Sequence, residues 1–278
     1  MIISIANLKG GTGKTTTAVN LGAALALNRR RTLVLDLVPL GDATCSLGVQ
    51  PSEARCTLAD VLLRGQNLER AIRETSIPGL CVVPSSPELM NADLELAPRK
   101  GREQALAANM TRQLRKAFDF ILLDCPSTIN ILLVNALVAS DYLLVPTTPT
   151  VLSVKGLKET LRIQEEVKRN MNCGVEFMGI LLTQVDYRMD STQEIIGNLR
   201  SSFGKMVLTT TIERSESFQG SPPTGVSILQ SRPGSPVARS FVRLGEEIVK
   251  RIGTGTLPGA PVEKAFEVGS SPGVGRSQ

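Results

Sequence analysis

A short apolar strand pattern at 2–7 (IISIAN) runs directly into Leu8-Lys9-Gly10-Gly11-Thr12-Gly13-Lys14-Thr15-Thr16, and a helical pattern starts at residue 14. No other stretch of the 278 residues limits the architecture as much. Glycines between a strand and a helix let successive backbone N–H groups close around a phosphate, and the helix presents its positive end to the same anion. Lys14 is spaced to reach the β- and γ-phosphates and the Thr15 hydroxyl to ligate Mg²⁺, so ATP and Mg²⁺ are the expected ligands. Gly10, Gly11, Thr12, Gly13 and Thr16 complete the expected cradle. A dinucleotide fingerprint is rejected: with Gly11 and Gly13 as its first glycines, Thr16 stands where the third belongs and Lys14 falls within the turn.

The rest of the chain alternates strand and helix. Strand candidates are 2–7, 32–37, 80–84, 119–124, 141–146, 175–183 and 206–211, several of them continuous apolar runs suited to burial on both faces. Helical patterns occupy about 14–28, 102–117, 130–139, 153–170, 191–202 and 235–252. This order predicts an α/β P-loop fold, a mostly parallel twisted sheet flanked by helices, as one domain over 1–252. The Gly/Pro/Ser-rich stretch 253–278 is expected to be a flexible tail.

Composition removes other chemistries. The chain has no His, so an imidazole base is excluded, along with most zinc sites. Aromatics are 3% with no Trp, too few for a base-stacking platform on single strands. Five scattered Cys without a C-x-x-C suit a reduced, cytoplasmic chain. No signal peptide or long apolar span is visible. A net charge of +5 permits a polyanionic partner without demanding one.

KGGTGKTT at 9–16 resembles the deviant Walker A motif of the ParA/MinD ATPases, and the similarity continues along the chain. LVLDLVPLGDAT (33–44) looks like the switch region, PSSPELMNADLEL (84–96) a PATPDL-type segment, and FDFILLDCPSTINILLVNAL (118–137) the Walker B strand with its DxPP-type loop. MGILLTQVDYR (178–188) and the last helix also match those of small ParA (Soj-like) partitioning ATPases. The resemblance implies a homodimer in the ATP state, with Lys9 reaching across to the partner's nucleotide as an arginine finger would. It implies Asp36 as the first switch aspartate and Asp124 as the Walker B carboxylate on Mg²⁺, although a strand-end Asp also commonly caps the next turn.

The sequence departs from those relatives in two places. Val38 replaces the second switch aspartate, which positions the attacking water, and Asp42 replaces an Asn four residues on. Slow, partner-stimulated hydrolysis assisted by Asp42 is expected, with a nucleotide-gated scaffold of almost no turnover as the alternative. At 210–218 the family's TxIPRNVRL reads TTIERSESF, which puts Glu213 and Ser215 at the adenine-framing positions and Ser217 where an arginine linked to DNA is usual.

The remaining candidate DNA contacts are Arg188, Arg214, Arg239, Arg243, Lys250 and Arg251, although a basic helix face can equally be plain solvated surface. The implied partners are non-specific DNA and a ParB-like or other cargo adaptor, with a nucleoid-associated location. Membrane attachment is not expected, because VEKAFEV in the tail is too short and acidic for anionic lipid. A metabolic P-loop synthetase and an iron–sulfur relative using Cys81 and Cys125 are the other classes considered.

Overall fold

The apolar runs assemble into a single eight-stranded sheet in the computed structural model, which describes residues 1–216 and 225–253. Its strands are β1 (Ile2–Ile5), β2 (Thr32–Asp36), β3 (Arg73–Glu74), β4 (Leu80–Val83), β5 (Phe120–Asp124), β6 (Tyr142–Thr147), β7 (Glu176–Val185) and β8 (Val207–Glu213). Their order is β3-β4-β2-β5-β1-β6-β7-β8, with every pairing parallel except β3–β4. The first half carries helices α1 (Lys14–Leu27), α2 (Asp42–Ser46), α3 (Leu58–Arg64), α4 (Leu68–Ala71), α5 (Ala92–Leu96), α6 (Ala105–Asn109) and α7 (Arg112–Ala117). Then come α8 (Ile131–Ala139), α9 (Val151–Met171), α10 (Asp190–Phe203), α11 (Ile228–Ser231) and α12 (Pro236–Gly253).

Strand residues alternate between two cores. Ile3, Ile5, Val34, Leu122 and Leu144 pack with α1, α11 and α12, whereas Ile2, Leu33, Leu35, Ile121, Leu123 and Leu143 face α3, α8, α9 and α10. Both faces are covered, so these strands are apolar at most positions, with polar residues such as Ser4, Asp36 and Asp124 as the exceptions. With β5 between β1 and β2, the loops leaving all three strands gather at one end of the sheet, where ligands of open α/β folds bind.

The single helix expected over 102–117 is interrupted. Its start is a 3₁₀ turn at Arg102–Gln104, α6 ends at Asn109, and the Thr111 hydroxyl accepts the Leu114 N–H (3.1 Å) to cap a new helix. Asn135 of α8 supports this break, accepting the Leu106 N–H (2.9 Å) and donating to Arg102 O (2.8 Å). The helices at 42–46, 58–64, 68–71, 92–96 and 228–231 and the strand at 73–74 are additions to the expected elements.

On α12, Arg239, Arg243 and Lys250 are exposed, while Phe241, Leu244 and Ile248 pack inward. Arg251 does not belong with the surface cations. Its guanidinium pairs with Glu247 (3.0 Å) and points to the carbonyls of Met178 (3.3 Å) and Val207 (3.5 Å). Glu247 in turn accepts the amide N–H groups of Thr209 (2.9 Å) and Thr210 (2.8 Å) on the outer strand β8. Arg251 is therefore a tie between helix and sheet, which corrects its assignment as a DNA contact.

No described helix is long and apolar enough to cross a membrane. Ser217 and residues 254–278, including VEKAFEV, lie outside the described residues; Gly253, placed in the tail by the sequence, ends α12.

Candidate nucleotide site

The loop between β1 and α1 has the backbone that phosphate binding requires. Gly11 (φ 73°) and Gly13 (φ 81°) are left-handed, a conformation that costs a side-chain-bearing residue about 1 kcal/mol or more. Lys14 is buried, and its Nζ donates to Lys9 O (3.4 Å), so the ammonium rests over the first half of the loop. Burial pulls its pKa down and the neighbouring Asp124 opposes that shift. Thr12 Oγ1 also donates to Lys9 O (3.3 Å).

Three elements grip this loop from outside. Buried Asn7 accepts the Lys9 N–H (2.9 Å) and donates to Pro146 O (2.8 Å), anchoring the loop to β6. Helix α9 closes over the same turn: Thr160 Oγ1 accepts the Leu8 N–H (3.0 Å), and a Cβ at Gly156 would lie 2.8 Å from both Lys9 Cβ and Asn7 Oδ1. From the other side, Thr183 Oγ1 donates to Thr12 O (2.8 Å) and Gln184 Nε2 to Gly11 O (2.7 Å). Gln184 adopts φ 52°, a backbone strain stored where β7 meets the loop. The Lys9 side chain, by contrast, is exposed, and its ammonium makes no hydrogen bond among the described residues.

Asp36 and Asp124 close the floor, both fully buried. Neither oxygen of Asp124 has a hydrogen-bond partner among the described residues. Burial and the charge of Asp36 raise its pKa well above the carboxylate range, against the nearby Thr15 hydroxyl and Lys14 ammonium. An orphaned carboxylate beside a hydroxyl suits a divalent cation, so Thr15 and Asp124 fit Mg²⁺. Asp36 is pushed up to about 6, chiefly by burial, despite hydrogen bonds from Thr44 N–H (2.8 Å), Thr44 Oγ1 (2.7 Å) and Val38 N–H (3.0 Å). Ser85 links this switch to the end of β4: its hydroxyl donates to Val38 O (2.6 Å), and its N–H reaches Thr44 Oγ1 (3.0 Å). Asp42 is exposed at the first turn of α2, and its charge raises both buried carboxyls.

Beside α1 opens a cavity of about 310 Å³, lined by Gly13, Thr16 and Thr17 and roofed by Glu213, Arg214 and Ser215. With phosphates in the loop, a cavity in this position could hold the base and ribose of a nucleotide. Arg214 is exposed at its edge, and Arg188, also exposed, is held bidentate by Asp186 (2.8 and 2.6 Å). Cys125 is buried, its thiol pushed up to about 12 by desolvation, and it donates to Leu123 O (3.4 Å). It is thus an inert apolar filler, unsuited to ligating a cluster between subunits.

Sequence reasoning does not single out Asn7, Thr44, Ser85, Gly156, Thr160, Thr183 or Gln184. The polar pair Thr183-Gln184 at the end of an otherwise apolar strand is the one available signal. Gly156 and Thr160 offer none beyond a glycine within a helical pattern.

Comparison with known proteins agrees with this geometry. The family model AAA_31, described as an AAA domain, matches residues 1–177. The chain is 34% identical over 250 residues to the chromosome partitioning protein ParA of Myxococcus xanthus, covering 90% of this chain and 88% of that protein. It is 33% identical over 247 residues to the sporulation initiation inhibitor protein Soj of Bacillus subtilis, covering 89% and 97%. Among solved structures, cobyrinic acid a,c-diamide synthase from Mycobacterium smegmatis, with bound ADP and magnesium, superposes with a TM-score of 0.80 at 27% identity, covering 92% and 96%.

Proposed function

The chain belongs to the AAA_31 family alongside the ParA and Soj chromosome-partitioning proteins, and from that premise we propose that it is an ATP-dependent partitioning or positioning ATPase that works as a dimer on DNA. One observation carries the reading. Lys9 is fixed at its backbone by Asn7 and crowded by Gly156, yet its ammonium is exposed and has no partner among the described residues. A cation held at the mouth of a phosphate loop and unused by its own chain is suited to a γ-phosphate on a second copy.

In this reading Gly10–Gly13 wrap the phosphates with backbone N–H groups, Lys14 meets the β- and γ-phosphates, and Thr16, Glu213 and Ser215 border the base side. Thr15 and Asp124 would hold Mg²⁺, which would supply screening of the charge on the transferring phosphoryl group. Asp36 holds the switch through Thr44 and Val38. Hydrolysis is slow because Val38 can neither orient water nor accept a proton, and Asp42, exposed at the start of α2, is the carboxylate that assists. The closed dimer doubles a phosphate-binding surface drawn from Arg188, Arg214, Arg239, Arg243 and Lys250, so ATP switches non-specific DNA affinity through avidity. A ParB-like or other cargo adaptor stimulates release, and the chain is nucleoid-associated in the cytoplasm. The working domain extends through Gly253, the last residue of α12.

DNA binding measured at graded salt with ATP and with ADP tests the reading, alongside sedimentation in each nucleotide. ATP-selective dimers with ATP-selective, salt-sensitive binding are expected; equal behaviour in both nucleotides contradicts it. Val38 also favours a second reading, a nucleotide-gated scaffold, in which phosphate release stays negligible even with DNA and adaptor present.

A further inference from the structure

Most hydroxyls around the phosphate loop are already committed within the protein. Thr12 donates to Lys9 O, Thr183 to Thr12 O, Thr44 to Asp36, Ser85 to Val38 O and Thr160 to Gly156 O. Thr15 stands by Asp124, and Thr16 lines the cavity on the base side. Ser127 is not committed in this way, nor is its exposed neighbour Thr128. Ser127 lies half-buried on the connection from β5 to α8, three residues beyond Asp124, and makes no hydrogen bond among the described residues. Its Oγ is 4.0 Å from where a Cβ on Gly10 would stand.

That position is at the γ end of the loop. Lys14, whose ammonium meets the β- and γ-phosphates, rests on Lys9 O, next to Gly10. Gly10 has no side chain to fill the gap, so the Ser127 hydroxyl looks across at the space where a terminal phosphoryl group is expected. Val38, two residues beyond Asp36 and hydrogen-bonded to its carboxylate through the backbone N–H (3.0 Å), offers no polar atom from its side chain. A hydroxyl has one donor and two acceptor positions, enough to touch a phosphoryl oxygen and a water together.

We propose that Ser127 is a catalytic residue for ATP hydrolysis in this chain, orienting the attacking water at the γ-phosphoryl group in place of the carboxylate absent at position 38. Its Oγ accepts a hydrogen bond from the water and donates one to a non-bridging γ-oxygen. The water oxygen forms a bond to Pγ, the bond from Pγ to the β–γ bridging oxygen breaks, and its electron pair leaves on ADP. The water's proton ends on the released phosphate, and Ser127 is unchanged. The proposal rests on the ATPase reading above.

The test uses the full chain with ATP and Mg²⁺, comparing the parent with Ser127→Ala and Ser127→Thr. Single-turnover phosphate release, ATP affinity, sedimentation and thermal stability are measured on each. Losing one neutral hydrogen bond at the reacting group is expected to slow release about tenfold in Ser127→Ala, with affinity, dimerisation and melting temperature unchanged. Ser127→Thr keeps the hydroxyl and retains the parent rate within about twofold. In a Val38→Asp background the Ser127→Ala loss shrinks, since a carboxylate then holds the water. An unchanged rate in Ser127→Ala overturns the assignment, as does an equal loss of affinity and rate, which marks uniform binding. A parent that binds ATP and dimerises without releasing phosphate overturns it as well. A parent that binds no ATP, or never dimerises, defeats the underlying reading instead.

Discussion

Asp36 and Asp124 are register partners at the carboxyl ends of adjacent parallel strands, which places two buried carboxyls side by side beneath the phosphate loop. Burial makes both costly to ionise, and the charge of Asp36 adds to the cost at Asp124. The folded pKa of Asp36, about 6, lies above its unfolded value near 3.8. Between those values the folded chain holds a proton that the unfolded chain has released. Stability of the nucleotide-free protein from this source is therefore fully present below about pH 4 and lost as pH rises through 6, by about 3 kcal/mol for Asp36 alone. Asp124→Asn, which removes one charge of the pair, is expected to raise the melting temperature at pH 7.5 and to lose that advantage towards pH 5. A gap between variant and parent that does not vary with pH would contradict the coupling.

The two loop lysines should separate cleanly. Lys14 is buried over the loop, and Lys14→Ala is expected to abolish nucleotide binding in a titration with labelled ATP. Lys9→Ala removes an exposed side chain, so the melting temperature should move by less than about 0.5 kcal/mol in equivalent stability. Its defect should appear in sedimentation with ATP and Mg²⁺, as loss of the dimer.

Gly156 touches the loop without touching ligand. Gly156→Ala puts a methyl group 2.8 Å from Lys9 Cβ and Asn7 Oδ1, so α9 or the loop must shift. Overpacking of this kind costs about 1–3 kcal/mol, and ATP-driven dimerisation should weaken along with stability. Normal melting and assembly in this variant would show that the helix gives way freely.

Val38→Asp supplies the missing carboxylate. A positioned acid–base group typically contributes about 10²–10⁴ in rate, so steady-state phosphate release should rise at least tenfold. An unchanged rate would remove residue 38 from the account of slow turnover.

Arg243 and Arg251 lie about two turns apart on α12, and their replacement should have different effects. Arg243→Ala should leave stability alone and lower the salt slope of DNA binding by about 1, the share of one phosphate that is no longer neutralised. Arg251→Ala breaks the pairing with Glu247 and should lower the melting temperature with the salt slope intact. Thermal melts and binding isotherms at several salt concentrations on both variants distinguish them.

The sheet is legible in the sequence because β1, β2, β5 and β6 are buried on both faces and so consist mostly of apolar residues, each followed by turn or cap residues. The loop is legible because left-handed backbone at Gly11 and Gly13 requires glycine. Helix α3 also carries readable signals, though short helices between strands are easily missed: Thr57 and Asp60 form a capping box, and left-handed Gly65 ends the helix. The break between α6 and α7 is harder. Residues 102–117 have good helix propensity, and Asn135, which stabilises the interruption, comes from a different element. Arg251 illustrates the same limit. Its spacing from Glu247 suits either an outward ion pair or an inward one, and only the docking of α12 on β8 decides between them. Gly156 in a helix reads as a weak position until α9 is laid over Lys9.

Glu247 occupies two amides of the outer strand at one margin of the sheet, and at the other margin β3 is only two residues long and runs antiparallel to its neighbour. Among the described residues, one border is thus partly occupied by a side chain and the other is very short, two of the ways in which sheet edges are kept from being extended by another chain. Both features work against copies of this molecule joining backbone to backbone into fibres. Any association of copies is then left to side chains and loops, whose contacts can be made and broken without unravelling a strand.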